Sequence, residues 1–200
     1  MLTSLLSLLI GYLLGSISFS YLAGKLLKGI DIREHGSGNA GATNTLRVLG
    51  KGPGIAVLLL DVLKGVAAVW IGTWLSGSDP LFEVLAGISV IVGHNWPVFF
   101  GFRGGKGIAT TIGVMATLAF LPAIIAGIVA IVSIAVTRYV SLGSLLFTAL
   151  LPILIWFMAG SREIFTLSLL LFVFAWVKHR SNIVKLLKGQ ENKLGAKKQV

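Results

Sequence analysis

The chain has 200 residues, of which 56% are hydrophobic and only 12% are charged; because a soluble domain is about 45–50% apolar and about 25% charged, this composition excludes a soluble globular protein. The net charge of +10 predicts cytoplasmic loops rich in Lys and Arg, and since no soluble basic face is visible we expect no nucleic-acid partner. The absence of Cys excludes disulfides, a thiolate nucleophile and Cys ligands for a metal.

A membrane helix needs about 20 apolar residues, and a series of apolar stretches runs along the chain. They cover residues 2–24, 54–75, 81–100, 108–136, 142–159 and 164–177. We expect the first stretch to be a span and not a cleaved signal peptide. It lacks a basic start, it exceeds the length of a signal-peptide core, and further spans follow it.

The long stretch 108–136 contains Pro122, and the distribution of Lys and Arg indicates whether it forms one helix or two. A turn at 121–122 places every Lys and Arg except Lys64 and Arg162 on one side of the membrane, whereas a single helix divides them between two sides. Lys and Arg concentrate in cytoplasmic loops. We therefore predict an all-α polytopic membrane protein with seven transmembrane helices, the N-terminus outside and the C-terminus cytoplasmic.

The same topology makes residues 1–200 a single integral-membrane domain with a basic cytoplasmic tail, 178–200. The basic residues of this tail are expected to contact anionic lipid headgroups and to act as topology signals. Arg33, Lys51 and Arg138 are interpreted in the same way, as residues outside any site. Membrane lipids are thus expected partners, and the sequence leaves protein partners unknown.

Two Gly-rich segments, 36–44 and 101–107, lie on the cytoplasmic side in this topology. Gly permits positive φ and close approach, so successive backbone N–H groups can converge on an anion, and Ser, Thr and Asn side chains add donors. Arg47 adds a planar fork that suits a phosphate. The second segment repeats the pattern with Arg103 and Lys106 and leads into a helix, whose N-terminus favours an anion. Two such segments on one side favour an anion site over flexible connectors.

Several polar residues lie in or next to the apolar stretches. Asp61 and Lys64, at i and i+3, are expected to pair, either as a functional pair or as an ion pair that clamps helices. His94 is interpreted as a hydrogen-bonded structural histidine. His179 is followed by Asn182 on the same helical face, and a ligand role and a structural role remain equally open for it.

Motifs for covalent or metal-assisted catalysis are absent from the sequence. There is no Walker A motif, no GxSxG elbow and no HExxH zinc motif. No His is followed by Asp at the fifth place, so an HxxxxD arrangement is also missing. We therefore expect no metal and no cofactor, and any group transfer has to be direct, between two bound substrates.

Three polar segments occur in order along the chain: GSGNAGATNTLR at 36–47, GHNWPVFFGFRGGKGIAT at 93–110 and HRSNIVKLLKGQE at 179–191. Together they resemble the three cytoplasmic motifs of the bacterial acyl-phosphate:glycerol-3-phosphate acyltransferases, the PlsY family. The resemblance covers nearly the whole chain. It implies transfer of a fatty acyl group from acyl phosphate to the 1-hydroxyl of sn-glycerol 3-phosphate, giving lysophosphatidic acid, in the bacterial inner membrane.

The resemblance also implies roles for individual residues. It implies an acyl-phosphate cradle made of Gly38, Asn39, Ala40, Gly41, Ala42, Thr43, Asn44 and Ser144. It implies catalytic roles for Ser37, Arg47, Lys106, His179 and Asn182, and the last four of these are also implied to bind glycerol 3-phosphate. The family is thought to use no side-chain base, because the acceptor phosphate takes the hydroxyl proton.

Two other classes of function remain open from the sequence. A transporter or channel for a phosphorylated or inorganic anion needs polar sites near the middle of the membrane, and only Asp61 and Lys64 lie that deep. A purely structural membrane subunit leaves both Gly-rich segments unexplained. Formation of lysophosphatidic acid by the purified protein separates the three classes.

Overall fold

A computed structural model describes residues 2–158 and 161–195. Within these ranges the chain is α-helical and contains no strand, which confirms the predicted all-α class. Two short 3-10 turns, Ile32–Glu34 and Val98–Phe100, lie in the loops. The α-helices are α1 (Leu2–Gly15), α2 (Phe19–Lys28), α3 (Ala42–Leu49), α4 (Lys51–Ser76), α5 (Pro80–Asn95), α6 (Ile108–Leu118), α7 (Phe120–Thr137), α8 (Val140–Met158), α9 (Arg162–Lys178) and α10 (Arg180–Leu187).

Several of these helices can cross a membrane. Within the described ranges, five spans are long and apolar enough, and a sixth is reached if α9 and α10, which meet at a 63° bend, are taken as one span. The protein is therefore a multi-pass membrane protein. The helix α6 has only 11 residues, so it is about 16 Å long against a hydrocarbon core of roughly 30 Å. The seven-span topology and the orientation of the termini therefore stay predictions.

The chain divides into two compact units, Met1–Leu118 and Ala119–Val200. In the first unit α4 packs against α1, α3, α5 and α6, and α1 also packs along α5. Small residues allow the backbones of these helices to approach closely, as is common in membranes. A Cβ on Gly15 or on Gly93 would collide with the backbone of the facing helix, and the same holds for Gly65 and Gly113 between α4 and α6.

The first span is not continuous. A single helix was predicted over 2–24, but α1 ends at Gly15 and α2 begins at Phe19 and extends to Lys28. The carbonyls freed by this break need donors, because water is scarce inside a membrane. The Lys64 ammonium supplies them: its Nζ donates to Gly15 O at 3.0 Å and to Ile17 O at 2.9 Å.

The long stretch 108–136 is broken, as predicted, but the position of the break differs from the prediction. The helix α6 ends at Leu118 and α7 begins at Phe120, so the break lies at Ala119, with φ −147° and ψ 68°, and not at 121–122. Pro122 is in the first turn of α7. Proline is tolerated there because the first N–H groups of a helix have no intrahelical partner. Pro122 therefore marks the beginning of a helix and not its interruption.

In the second unit, α8 packs against α7 and α9, and α10 contacts both α8 and α9. The segment after α10 returns to the turn between α7 and α8. There Leu194 N donates to Arg138 O at 2.7 Å, and the Arg138 guanidinium donates to Leu194 O at 2.7 and 3.0 Å. Arg138, which the sequence analysis groups with the residues that contact lipid headgroups, also binds this C-terminal segment through its side chain.

Candidate active site

The first Gly-rich loop, 36–44, is shaped from inside by Asn44. This side chain extends from the first turn of α3 and is 1% exposed. Its Oδ1 accepts from Ser37 N at 2.8 Å, and its Nδ2 donates to Ile32 O at 3.1 Å and to His35 O at 3.0 Å. Asn44 had been expected to contact the acyl phosphate, but its amide is used to hold the loop. The assignment of Asn44 to the acyl-phosphate cradle stays a prediction.

Glycine is required where this loop wraps around Asn44. Gly36 has φ +64° and Gly38 has φ +73°, the left-handed region that L-residues rarely adopt. A Cβ on Gly36 would also collide with the Asn44 amide oxygen. Ser37, between the two glycines, is exposed. The local sequence Gly-Ser-Gly thus turns the chain over Asn44 and presents Ser37 at the surface of the loop.

The loop leads into the N-terminus of α3. Gly41 is the N-cap and makes no side-chain capping hydrogen bond, so the first turn of α3 lacks the acceptor that a Ser or Asp cap supplies. The N-terminus of a helix without such a cap suits an anion. Ala42 and Thr43 form this first turn and are half-buried, and Arg47 lies exposed in the last turn of α3. These positions agree with a phosphate site at 41–43.

The second Gly-rich segment packs directly on the first. Gly105 N donates to His94 O at 3.1 Å, and a Cβ on Gly105 would lie 2.7 Å from Ala40 O. Lys106 follows and is half-buried, and α6 begins two residues later at Ile108. The structure therefore brings together the two segments that the sequence singled out. It places the Ala40 backbone and the backbone next to Lys106 in contact.

Arg33, which the sequence analysis places outside any site, joins the residues that precede the two Gly-rich segments. Its Nη1 donates to Phe100 O at 2.7 Å, and its guanidinium pairs with Asp31, with Nη2 to Oδ2 at 2.7 Å and Nε to Oδ1 at 2.9 Å. The guanidinium carbon also lies 4.9 Å from the centre of the Tyr21 ring. The hydrogen bond from Arg33 lowers the pKa of Asp31 to about 2. The Asp31-Ile32-Arg33 spacing just before the loop was the available signal for this pair.

Asp61 and Lys64 form the predicted ion pair, with Lys64 Nζ 2.8 Å from Asp61 Oδ1 and both side chains almost fully buried. Lys64 also holds the break between α1 and α2, so the pair clamps helices. His94 is buried, and its Nδ1 lies 3.4 Å from Asp61 Oδ1. This position agrees with the structural role expected of His94.

Ser144, His179 and Asn182 lie in the second unit. Ser144 is buried in the first part of α8, where its hydroxyl donates to Val140 O at 2.9 Å. His179 is 3% exposed and forms the junction of α9 and α10. Its Nδ1 is 2.7 Å from Ala175 O, and because a carbonyl can only accept, Nδ1 carries the proton and a neutral ring presents Nε2 as an acceptor.

The helix bends by 63° between α9 and α10, at His179, and the expectation that His179 and Asn182 share one helical face stays a prediction. Asn182 is in the first turn of α10, where its Nδ2 donates to Glu191 Oε1 at 2.9 Å. Glu191 is nearly buried and belongs to the segment after α10. Asn182 is thus oriented by a carboxylate from the C-terminal segment, an arrangement that the spacing of His179 and Asn182 alone does not indicate.

Known proteins of one family match the chain over most of its length. The family model of glycerol-3-phosphate acyltransferases matches residues 5–189. A glycerol-3-phosphate acyltransferase of Shouchella clausii is 58% identical over 98% of this chain and 99% of its own length. One from Halalkalibacterium halodurans is 57% identical over 94% of each chain.

Solved structures agree with these relatives. The structure of PlsY, an integral membrane glycerol 3-phosphate acyltransferase, in its glycerol 3-phosphate form has a TM-score of 0.91 and 37% identity over 96% of both chains. The lysophosphatidic acid form of PlsY has a TM-score of 0.88 and 36% identity, over 96% of this chain and 95% of that one. The fold, the motifs and the relatives agree, and the chain belongs to the glycerol-3-phosphate acyltransferase family.

Proposed function

We propose that the protein transfers a fatty acyl group from acyl phosphate to the 1-hydroxyl of sn-glycerol 3-phosphate, with lysophosphatidic acid and phosphate as products. The observation that carries the proposal is the contact between the two Gly-rich segments, at Ala40 and Gly105. Both substrates carry a phosphate, and each segment offers features of an anion site. The relatives named above, and the glycerol 3-phosphate and lysophosphatidic acid forms of PlsY, support the same acceptor and product.

The acyl phosphate is assigned to the loop 36–44 and the start of α3. The uncapped N-terminus at Gly41 favours a phosphoryl group, and the exposed Ser37 donates a hydrogen bond to it. Ser144 completes the cradle by the resemblance to the family. The acyl tail remains in the bilayer beside the helices, which accounts for the need of a membrane-embedded enzyme.

The resemblance to the family assigns the glycerol 3-phosphate to Arg47 and Lys106, with His179 and Asn182. Arg47 binds a phosphate as a planar fork, and Lys106 as a point charge. The contact of His179 Nδ1 with Ala175 O, at 2.7 Å, sets the orientation of the imidazole. Asn182 keeps its orientation through Glu191.

The proposed transfer is direct. The O1 oxygen of the acceptor forms a bond to the acyl carbonyl carbon, the bond from that carbon to the phosphate oxygen breaks, and the hydroxyl proton passes to the acceptor's own phosphate. Acyl phosphate is already an activated donor. Positioning and neutralisation of charge can therefore supply most of the rate enhancement without a nucleophilic side chain.

We place the protein in the bacterial plasma membrane, with its active site on the cytoplasmic side and seven spans. The positive charge of the loops and tail supports this orientation. A transporter or channel for a phosphorylated anion is the alternative. The charged side chains of Asp61 and Lys64 are buried between helices, and their contacts with each other and with the α1–α2 break favour a helix clamp over a transport site.

The test is product formation by the purified protein in detergent. With acyl phosphate and labelled glycerol 3-phosphate, we expect labelled lysophosphatidic acid, whereas a transporter gives none. Incubation with acyl phosphate alone, followed by intact-protein mass spectrometry, should show no added acyl mass. An adduct on Ser37 that glycerol 3-phosphate releases would contradict direct transfer.

A further inference from the structure

The Asp61, Lys64 and His94 side chains form a buried cluster that the proposed reaction does not use. They are 1%, 3% and 6% exposed. Asp61 Oδ1 lies 2.8 Å from Lys64 Nζ and 3.4 Å from His94 Nδ1. A buried carboxylate is costly unless its partners remain in place. Lys64 is itself fixed by Gly15 O, so Asp61 is held in place and packs against the Nδ1 edge of the imidazole.

The opposite edge of the imidazole faces the second Gly-rich segment. A Cβ on Gly105 would collide with His94 Nε2, and it would lie 3.0 Å from His94 Cε1 and 2.7 Å from Ala40 O. The Gly105 backbone N–H is also bound to His94 O. Gly105 therefore fills the space between the imidazole and the first Gly-rich loop, and no room is left for a side chain.

Gly104 and Gly107, on either side of this position, also leave no room for a side chain. A Cβ on Gly104 would lie 2.6 Å from Pro97 Cδ, and one on Gly107 would lie 2.9 Å from Asn95 Oδ1. Lys106 stands between Gly105 and Gly107, so its backbone position depends on this fit. The loop 36–44 differs, because Asn44 holds it through three hydrogen bonds of its own.

We propose that His94 is a positioning residue for Lys106. Asp61 fixes the imidazole, the imidazole sets Gly105 against Ala40, and Lys106 is thereby held where it binds the acceptor phosphate. This inference rests on the proposed role of Lys106 in the reaction. Misplacement of a binding group by about 1 Å can cost roughly a hundredfold in rate, so a residue that never touches substrate can have a large kinetic effect.

The His94→Ala variant removes the imidazole that packs against Gly105. We expect the KM for glycerol 3-phosphate to rise at least tenfold, while the KM for acyl phosphate stays within twofold because Asn44 holds the loop 36–44 independently. Two conservative variants test the contributions of the two edges of the imidazole separately. His94→Gln places an amide near the position of Nε2 and should retain more acceptor affinity than His94→Asn, which places its amide near Nδ1.

The matched control is Thr73→Val. It removes a half-buried hydroxyl of α4 that donates to Val69 O in its own helix, and it should change neither KM. Gly105→Ala disturbs the same contact from the other side while Asp61, Lys64 and His94 keep their side chains. It replaces the His94→Ala experiment if that variant does not fold. Its KM for glycerol 3-phosphate should rise in the same way. An unchanged acceptor KM in folded Gly105→Ala or His94→Ala, or an equal rise of both KM values, would overturn the inference.

Lys106→Ala is measured in parallel. It distinguishes a failure of the proposed acceptor site from a failure of the positioning role of His94. If Lys106→Ala leaves the KM for glycerol 3-phosphate unchanged, the proposed acceptor site is wrong. If Lys106→Ala raises it and the His94 and Gly105 variants do not, the acceptor site stands and only the positioning role of His94 fails.

Discussion

Arg47 and Lys106 carry the charge that the proposed acceptor site needs. We expect Arg47→Ala and Lys106→Ala each to lose activity by roughly tenfold to a hundredfold, because a charged hydrogen bond contributes about 1.5–3 kcal/mol. Arg47→Lys should also be poor, since a point charge replaces a planar fork. Steady-state kinetics on equal amounts of folded protein measure these effects.

Arg180→Ala is the control for these variants. Arg180 is an exposed residue of the same charge on α10, and its removal should have little effect. Equal and mild losses in all four variants would indicate a general effect of surface charge and not a site.

The Asp31–Arg33 pair should make the stability of the loop dependent on pH. The pKa of Asp31 is lowered from 3.8 to about 2 in the folded protein, so the pair stabilises the folded state fully above pH 4 or so and loses this contribution as the pH falls towards 2. Thermal unfolding of the wild type and of Asp31→Asn between pH 6 and 3 tests this. We expect the wild type to be the more stable at pH 6 and the difference to narrow at pH 3. A difference that is constant over this range would contradict the role of the ionised carboxylate.

Much of the candidate site was predictable at the level of single residues. The Gly-Ser-Gly-Asn run indicated glycines with positive φ, and Gly36 and Gly38 have this left-handed backbone conformation. The spacing of Asp61 and Lys64 indicated their ion pair. The inward role of Asn44 was not predictable, because it depends on which carbonyls of the folded loop surround the amide. The contact of Arg33 with Phe100 O joins residues far apart in sequence, and no local pattern reports it.

At the level of helices, the Lys64 side chain stabilises the break in the first span by binding the carbonyls of Gly15 and Ile17. We expect Lys64→Met to destabilise the protein strongly, by about 3–5 kcal/mol, because Asp61 is left as an unpaired buried charge. Adding Asp61→Asn should recover part of the loss. Thermal unfolding in detergent measures both variants.

Thr148→Val, which removes a buried hydroxyl bound within α8, is the control for a polar substitution in a helix. A Lys64→Met variant as stable as this control would show that the break between α1 and α2 does not need the ammonium group.

The positions of the helices followed from apolar length, and the existence of a break in 108–136 followed from the distribution of Lys and Arg, but the exact positions of the interruptions did not. Pro122 was interpreted as the break in 108–136, whereas the break is at Ala119 and Pro122 occupies the first helical turn. A proline is compatible with both arrangements, so the residue alone cannot distinguish them. The interruption at 16–18 depends on Lys64, which is distant in sequence and therefore gives no local signal for the break.

For the molecule as a whole, the seven-span topology is the main prediction. It places 36–53, 101–107, 138–143 and the tail in the cytoplasm, and Gly77 and Leu121 outside. The chain has no native Cys, so a single introduced Cys reports one position without background. We expect Gly77→Cys and Leu121→Cys to react with an external impermeant reagent. Reaction of either one only from the cytoplasmic side would show that the topology is wrong.

The identity of the acyl donor tests the central claim most directly, because the loop 36–44 is proposed to bind the phosphate that leaves in the reaction. The measurement is the initial rate of lysophosphatidic acid formation by the purified protein, with acyl phosphate and acyl-CoA of the same chain length as alternative donors. We predict rapid turnover with acyl phosphate and little or none with acyl-CoA, because the start of α3 suits a terminal phosphoryl group. Comparable rates with both donors would contradict the account, since the Gly-rich loop would then not recognise the leaving phosphate.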